Sequence, residues 1–123
     1  MKRKLVYLAG PYTGDVEKNL SAAVDIAADL TNMGFSVICP HANSHWVHLR
    51  MAAKGYAPLD PVNWYEFDFE ILLRCDYLVL MPNWKQSTGA RLERVFAEQH
   101  GIRVYVWGDD DKSLFMQGKQ WIQ

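Results

Sequence analysis

A chain of 123 residues with half its side chains apolar is the size of one domain, residues 1–123, and can bury a core without disulfide or metal staples. Its formal net charge of −1, with no basic run, excludes a nucleic-acid polymer as the expected partner, because backbone binding needs clustered Lys and Arg. No apolar run approaches membrane-spanning length, and neither a repeat nor a low-complexity segment is present.

The first residues, Met1-Lys2-Arg3-Lys4, lead into a short strand rather than a leader's apolar stretch, and Cys39 and Cys75 both fall inside predicted elements. The expectation is a cytoplasmic protein with free thiols, no cofactor and a small-molecule ligand. Lys4 to Ala9 has the continuous apolar character of a strand covered on both faces and is placed centrally. The turn Gly10-Pro11-Tyr12-Thr13-Gly14-Asp15 follows, then an amphipathic helix on Leu20, Ala23, Val24, Ala27, Leu30 and Thr31 that ends at Gly34. That turn matches neither the dinucleotide fingerprint nor the P-loop, so its two glycines either serve ordinary turn angles or bring backbone N–H groups to an anion.

Phe35 to Cys39 reads as a second strand ended by Pro40, and His41 to His48 as a polar loop at the ligand edge, with Asn43, Ser44 and His45 able to hydrogen-bond a sugar or base. Cys39, His41, His45 and His48 are also a zinc candidate, weakened because closed sites join ligand pairs from two segments. Arg50 to Leu59 is expected to be loop with a single helical turn. Asp60-Pro61 starts a helix that runs to about Arg74, with Trp64, Tyr65, Asp68, Ile71, Leu72 and Cys75 on one stripe. Asp68 thus sits on the apolar face, where it must find a partner or be pushed toward protonation. Asp76, between helix and strand, is read as structural.

Tyr77 to Met81 is a buried strand, Pro82 opens a loop through Asn83 and Trp84, and Ser87 or Thr88 caps a helix that runs to Gly101. Leu92, Val95, Phe96 and Gln99 are taken as its core stripe and Arg91, Arg94 and Glu98 as its solvent side. Glu93 belongs to neither set. Its neighbours one turn away include no cation, and Gly89 leaves open space above its carboxylate. Trp46 and Trp84 are candidates for ring stacking or subunit contact, against a default of core packing. Ile102 to Trp107 is a last strand, Gly108 to Asp111 an acidic turn, and Lys112 to Gln123 a short amphipathic helix or an arm onto a second subunit.

This order predicts an α/β, three-layer fold: an open parallel sheet of four to five strands, flavodoxin- or Rossmann-like, with helices on both faces. The loops after Ala9, Cys39 and Met81 then share one edge, which gathers Tyr7 to Asp15, His41 to His48 and Asn83 to Glu93.

Three stretches carry a resemblance: Tyr7-Leu8-Ala9-Gly10-Pro11, the segment Asp68 to Asp76 around Leu72-Leu73-Arg74-Cys75, and Ser87-Thr88-Gly89-Ala90-Arg91-Leu92-Glu93. Together they resemble the nucleoside 2-deoxyribosyltransferase superfamily, and within it the small bacterial and phage relatives whose helix begins Ser-x-Gly-Ala-x-x-Glu. The resemblance implies N-glycosidic bond cleavage of a nucleoside or nucleoside 5′-monophosphate, by hydrolysis or transfer, in a homodimer or higher assembly. It makes Glu93 the nucleophile, held by a hydrogen bond from Tyr7, with Asp68 assisting departure of the base. Ser87 and the loop Gly10 to Gly14 would face the sugar's 5′ end, and His45, Asn83, Trp84, Gly89 and Arg91 complete the expected substrate-binding set. The monophosphate hydrolases carry an arginine in the first loop where Thr13 and Gly14 stand here, so Arg91 or Lys85 would have to supply the charge for a nucleotide, which is the favoured substrate. Two alternatives remain: a nucleotide-binding module without turnover, and a zinc-dependent hydrolase built on His41, His45 and His48.

Overall fold

The computed structural model describes residues 3–119. Four strands, β1 (Leu5–Ala9), β2 (Ser36–Ile38), β3 (Tyr77–Leu80) and β4 (Arg103–Val106), form one parallel sheet in the order β2-β1-β3-β4. Tyr7 pairs with Ile38 on one side and Leu78 on the other, and Leu80 pairs with Val106. The expected three-layer α/β fold with helices on both faces is present, with four strands.

Five α-helices connect and cover the strands: α1 (Val16–Met33), α2 (Pro40–Ala53), α3 (Pro61–Leu73), α4 (Thr88–Gln99) and α5 (Asp111–Lys119). Strand alternation splits β1 between two cores. Val6 and Leu8 pack with Ile26, Leu30, Phe35 and Leu114 under α1 and α5, whereas Tyr7 and Ala9 pack with Leu72, Ala90 and Ala97 under α3 and α4. Helix α1 stops where expected, at Gly34, whose φ of 114° lets its N–H reach the Leu30 and Thr31 carbonyls. Asp76 is structural, as its position suggested: its Oδ2 accepts the Leu5 N–H at 2.8 Å and pins the start of β1. The acidic turn also caps itself, Asp110 accepting from Val106 N and Asp111 from Gly108 N, each at 2.7 Å. Beyond it Leu114 buries the apolar side of α5, so the amphipathic-helix reading holds for the described part of that tail, while Trp121 lies outside the described residues.

Three expectations need correction. The stretch from His41 to His48 is not a loop, because Pro40 occupies the first turn of α2 and the helix continues to Ala53. On α4 the buried stripe is Ala90, Glu93 and Ala97, while Leu92 and Val95 are 43% and 51% exposed. Small residues let this helix lie close on the sheet, so its larger apolar side chains end on the outer face. The tryptophans also split: Trp46 is 70% exposed, and Trp84 is buried in the α3/α4 core.

The chain leaves β1 toward α1 on one face and leaves β3 toward α4 on the other. Strand order reverses between these neighbours, so the two loops diverge and leave a crevice at the carboxyl ends of β1 and β3.

Candidate active site

A cleft of about 460 Å³ occupies that crevice, with Tyr12 and Thr13 from the loop after β1, His41, Ser44 and His48 from α2, and Trp64, Tyr65 and Asp68 from α3. Ser87, Thr88 and Gly89 close it at the start of α4. One wall is a run of rings. Tyr12 stacks on His41 with centroids 4.9 Å apart, and His48 meets Trp64 at 4.5 Å. Two hydrogen bonds set the Tyr12 loop against α2: the Tyr12 hydroxyl with His45 Nδ1 at 2.8 Å, and His41 Nε2 with the Gly10 carbonyl at 3.1 Å. Burial holds the His41 pKa below its usual range, the Gly10 carbonyl partly opposing it, so the neutral ring donates that bond.

Glu93 lies behind Gly89. It is only 4% exposed, and a Cβ placed on Gly89 would stand 3.9 Å from its Oε1, 3.8 Å from Ser87 Oγ and 3.5 Å from Tyr65 Cε1. The missing side chain therefore leaves the carboxyl next to the cleft floor. Ser87 accepts the Ala90 N–H at 3.1 Å as the helix cap and keeps its own O–H to donate.

Burial dominates the electrostatics. It raises the Glu93 pKa to about 8, with the Tyr7 hydroxyl opposing and the Asp68 charge adding to the rise. Asp68 is pushed up to about 6, again by burial. Tyr7, fully buried on β1, is raised first by burial, then by the charges of Glu93 and Asp68, and stays protonated. Its hydroxyl and Glu93 are near enough to influence one another, but among the described residues no group meets hydrogen-bond geometry with the Tyr7 oxygen. Burial thus lifts both carboxyls toward protonation near neutral pH, Glu93 further than Asp68. Such a pair can deliver one acid and one base to a bound ligand.

The other expected residues scatter. Pro11 and Asn83 line a second, polar chamber that shares Thr13 and Ser87 with the main cleft. At Gly10 a Cβ would meet the Met81 side chain, its Sδ nearest, so this glycine is a packing position. Gly14 adopts a φ of 93° with open space about it. His45 reaches the site through Tyr12, and lines a separate apolar hollow between α1 and α2. Trp84 is core, with Arg94 over its ring at 4.9 Å, and Arg91 turns outward to the Thr88 hydroxyl at 3.3 Å. Among the described residues no three His, Cys, Asp or Glu side chains gather as metal ligands; the α2 histidines face rings and a carbonyl.

Ser44, expected as a hydrogen-bonding residue, does line the cleft; His48 and Thr88 lie in stretches expected at this edge but were not singled out as substrate-binding, and Trp64 and Tyr65 were missed as cleft residues. The spacing 41, 44, 45, 48 is one helical face, visible once Pro40 is taken as a helix start. Trp64 and Tyr65 stand four and three residues before Asp68, so its stripe already held them.

Fold and site together define a class: a doubly wound α/β domain with a carboxyl pair and a ring-lined cleft at the sheet's switch point. Within it the chain belongs to the family described as a domain of unknown function (DUF4406), which it matches over residues 4–106, a span containing Tyr7, Asp68 and Glu93. No curated protein matches the chain. Among the described residues no helix is long and apolar enough to cross a membrane.

Proposed function

We propose that this chain cleaves the N-glycosidic bond of a nucleoside or nucleoside 5′-monophosphate, with Glu93 as nucleophile and Asp68 as the acid for the leaving base. The observation that carries the reading is a buried carboxyl, with no cation paired to it among the described residues, lying directly behind Gly89, which lines a cleft walled by rings and a second carboxyl. The resemblance of the Ser87-to-Glu93 and Tyr7-to-Pro11 stretches to nucleoside 2-deoxyribosyltransferases supports it.

Glycosidic cleavage builds positive charge at the sugar carbon and negative charge on the base, so it needs a carboxylate at one end and a proton at the other. Glu93 passes its proton to Asp68, and its oxygen attacks the anomeric carbon. The carbon–nitrogen bond breaks, and the base leaves with the Asp68 proton. Water then adds to the glycosyl ester and gives a proton to Asp68, releasing the sugar and the Glu93 carboxylate; a second base in place of water makes the reaction a transfer. Tyr7, its hydroxyl otherwise unpartnered, donates to the Glu93 carboxylate as it forms. The cleft's rings stack on the base.

Incubation with deoxy- and ribonucleosides and their monophosphates, followed by chromatography, should release free base, and Glu93→Ala should abolish it while the circular dichroism spectrum is kept. A chain that releases no base from any of them sinks the reading. One feature favours a binding module without turnover: burial raises the Glu93 pKa to about 8, which favours its protonated form, a poor nucleophile. Calorimetric binding with no base released after long incubation would select that alternative. The assembly we propose is a homodimer through α3 and α4, whose outer faces expose Val62, Phe67, Leu92 and Val95. A monomeric mass in light scattering would refute it.

A further inference from the structure

The second chamber, of about 330 Å³, adjoins the main cleft and shares Thr13 and Ser87 with it. If Glu93 takes the anomeric carbon and the rings take the base, as the reading above requires, the far end of the sugar points here. What lines this chamber decides what that end can carry.

Its charges are Asp15 and Lys18, which cancel. Asp15 is the cap of α1, with Oδ1 accepting the Lys18 N–H at 3.2 Å. The positive end of the helix is therefore already met by a carboxylate. Asn19 gives its amide hydrogens to the Tyr12 and Thr13 carbonyls at 3.3 and 3.0 Å, leaving Asn83, Gln86 and the two hydroxyls as neutral partners. The other cations that might have served a phosphate do not line this chamber. Arg91 bonds the Thr88 hydroxyl, Lys85 lies by the Trp84 ring at 5.8 Å, Arg94 pairs with Glu98 at 2.9 Å, and none of the three lines either chamber. A phosphate dianion placed here would meet Asp15 with Lys18 as the single cation among the lining residues, and a second carboxylate, Asp68, in the adjoining cleft.

We propose that the substrate carries an uncharged 5′ end, an unphosphorylated nucleoside, and that Asp15 is the residue that turns a 5′-monophosphate away. The inference rests on the glycosidase reading and narrows its substrate class. A neutral hydroxymethyl group can bond Asp15, Asn83 or Gln86 without bringing a like charge against the carboxylate.

The test compares each 2′-deoxynucleoside and ribonucleoside with its own 5′-monophosphate, at low ionic strength where charge discrimination is least screened. The wild type should favour the nucleoside by about tenfold or more in kcat/KM. Asp15→Asn keeps a capping oxygen, so it should fold normally and narrow that ratio severalfold by raising kcat/KM for the monophosphate. Equal or better use of monophosphates by the wild type overturns the inference while the glycosidase reading stands, and a ratio that Asp15→Asn leaves untouched removes Asp15 from the role. If no substrate loses its base, the glycosidase reading falls, and the charge rule is decided by calorimetry with the same pairs: tighter nucleoside binding upholds it, and equal or tighter monophosphate binding overturns it.

Discussion

The two faces of the sheet are built from alternate residues of the same strands but carry different burdens. Under α1 and α5, Val6, Leu8, Val79 and Met81 meet Ile26, Leu30, Phe35 and Leu114, and the tyrosine of that core, Tyr77, donates its hydroxyl to Gln117 Oε1 at 3.1 Å. Under α3 and α4, Leu78, Leu80, Leu72, Ala90 and Ala97 surround Tyr7, whose hydroxyl has no partner of good geometry, and Glu93 lies on the same helix face as the two alanines. Among the described residues the first core leaves no buried side-chain polar atom unpartnered. The second holds two polar groups in a state that costs stability and is suited to chemistry.

The sharpest way to break this contrast is Glu93→Gln. Folded Glu93 titrates at about 8 against an ordinary value of 4.5, so between those values the native state holds a proton that the unfolded chain has lost, and stability falls as pH rises across that window. Below pH 4.5 both states are protonated and the penalty is absent. The variant should therefore lose base release altogether yet be more stable to denaturant than wild type at pH 8, by on the order of a few kcal/mol, with the difference vanishing near pH 4. Equal stability at both pH values would mean that the carboxyl is not strained by burial.

On the opposite face, Leu30→Ala empties a fully buried site and should cost roughly 2–5 kcal/mol in denaturant titration, with base release per folded molecule unchanged. A loss of specific activity would show that the cores are not separable. Gly89→Ala tests the reverse. The added methyl makes only ordinary contacts at 3.5 Å and beyond, so the melting point should hold or rise slightly, while base release falls because the methyl stands over the carboxyl.

A smaller effect concerns the pair of carboxyls. Base release needs Glu93 ionised and Asp68 protonated, so its rate should plateau between pH about 6 and about 8 and fall on both sides. Asp68→Asn should be slower and should rise with pH through about 8 instead of falling. The smallest effect is expected at the surface, where Arg94→Ala removes an exposed ion pair and a ring contact worth less than about 1 kcal/mol, with no change in activity.

Much of this arrangement was legible from residues alone, for identifiable reasons. The strands were found because each is a short apolar run closed by Gly, Pro or Asp, and Asp68 because a carboxylate on an apolar helical stripe is a contradiction in periodicity. Glu93 stood out for its missing counter-ion and its glycine, both local facts. What failed required knowledge of the partner surface. Helix α4 reads equally well with Leu92 and Val95 inward, and only the close approach permitted by Ala90 and Ala97 decides against it. Helix α2 was hidden because its histidines, serine and tryptophan give no apolar stripe. Trp84 and Arg91 sit near the site in sequence, yet one turns into the core and the other outward, and chain proximity does not report direction.

The parallel register of β1 with β3 brings Tyr7, near the start of the chain, beside a glutamate supplied by the last helix but one. Non-local pairings of this kind close late, after the loop entropy of the intervening chain has been overcome. The expectation is that the pocket matures late in folding. A nascent chain halted before α4 would own the tyrosine but nothing for it to serve, so recovery of ligand affinity after refolding should lag behind recovery of helical signal.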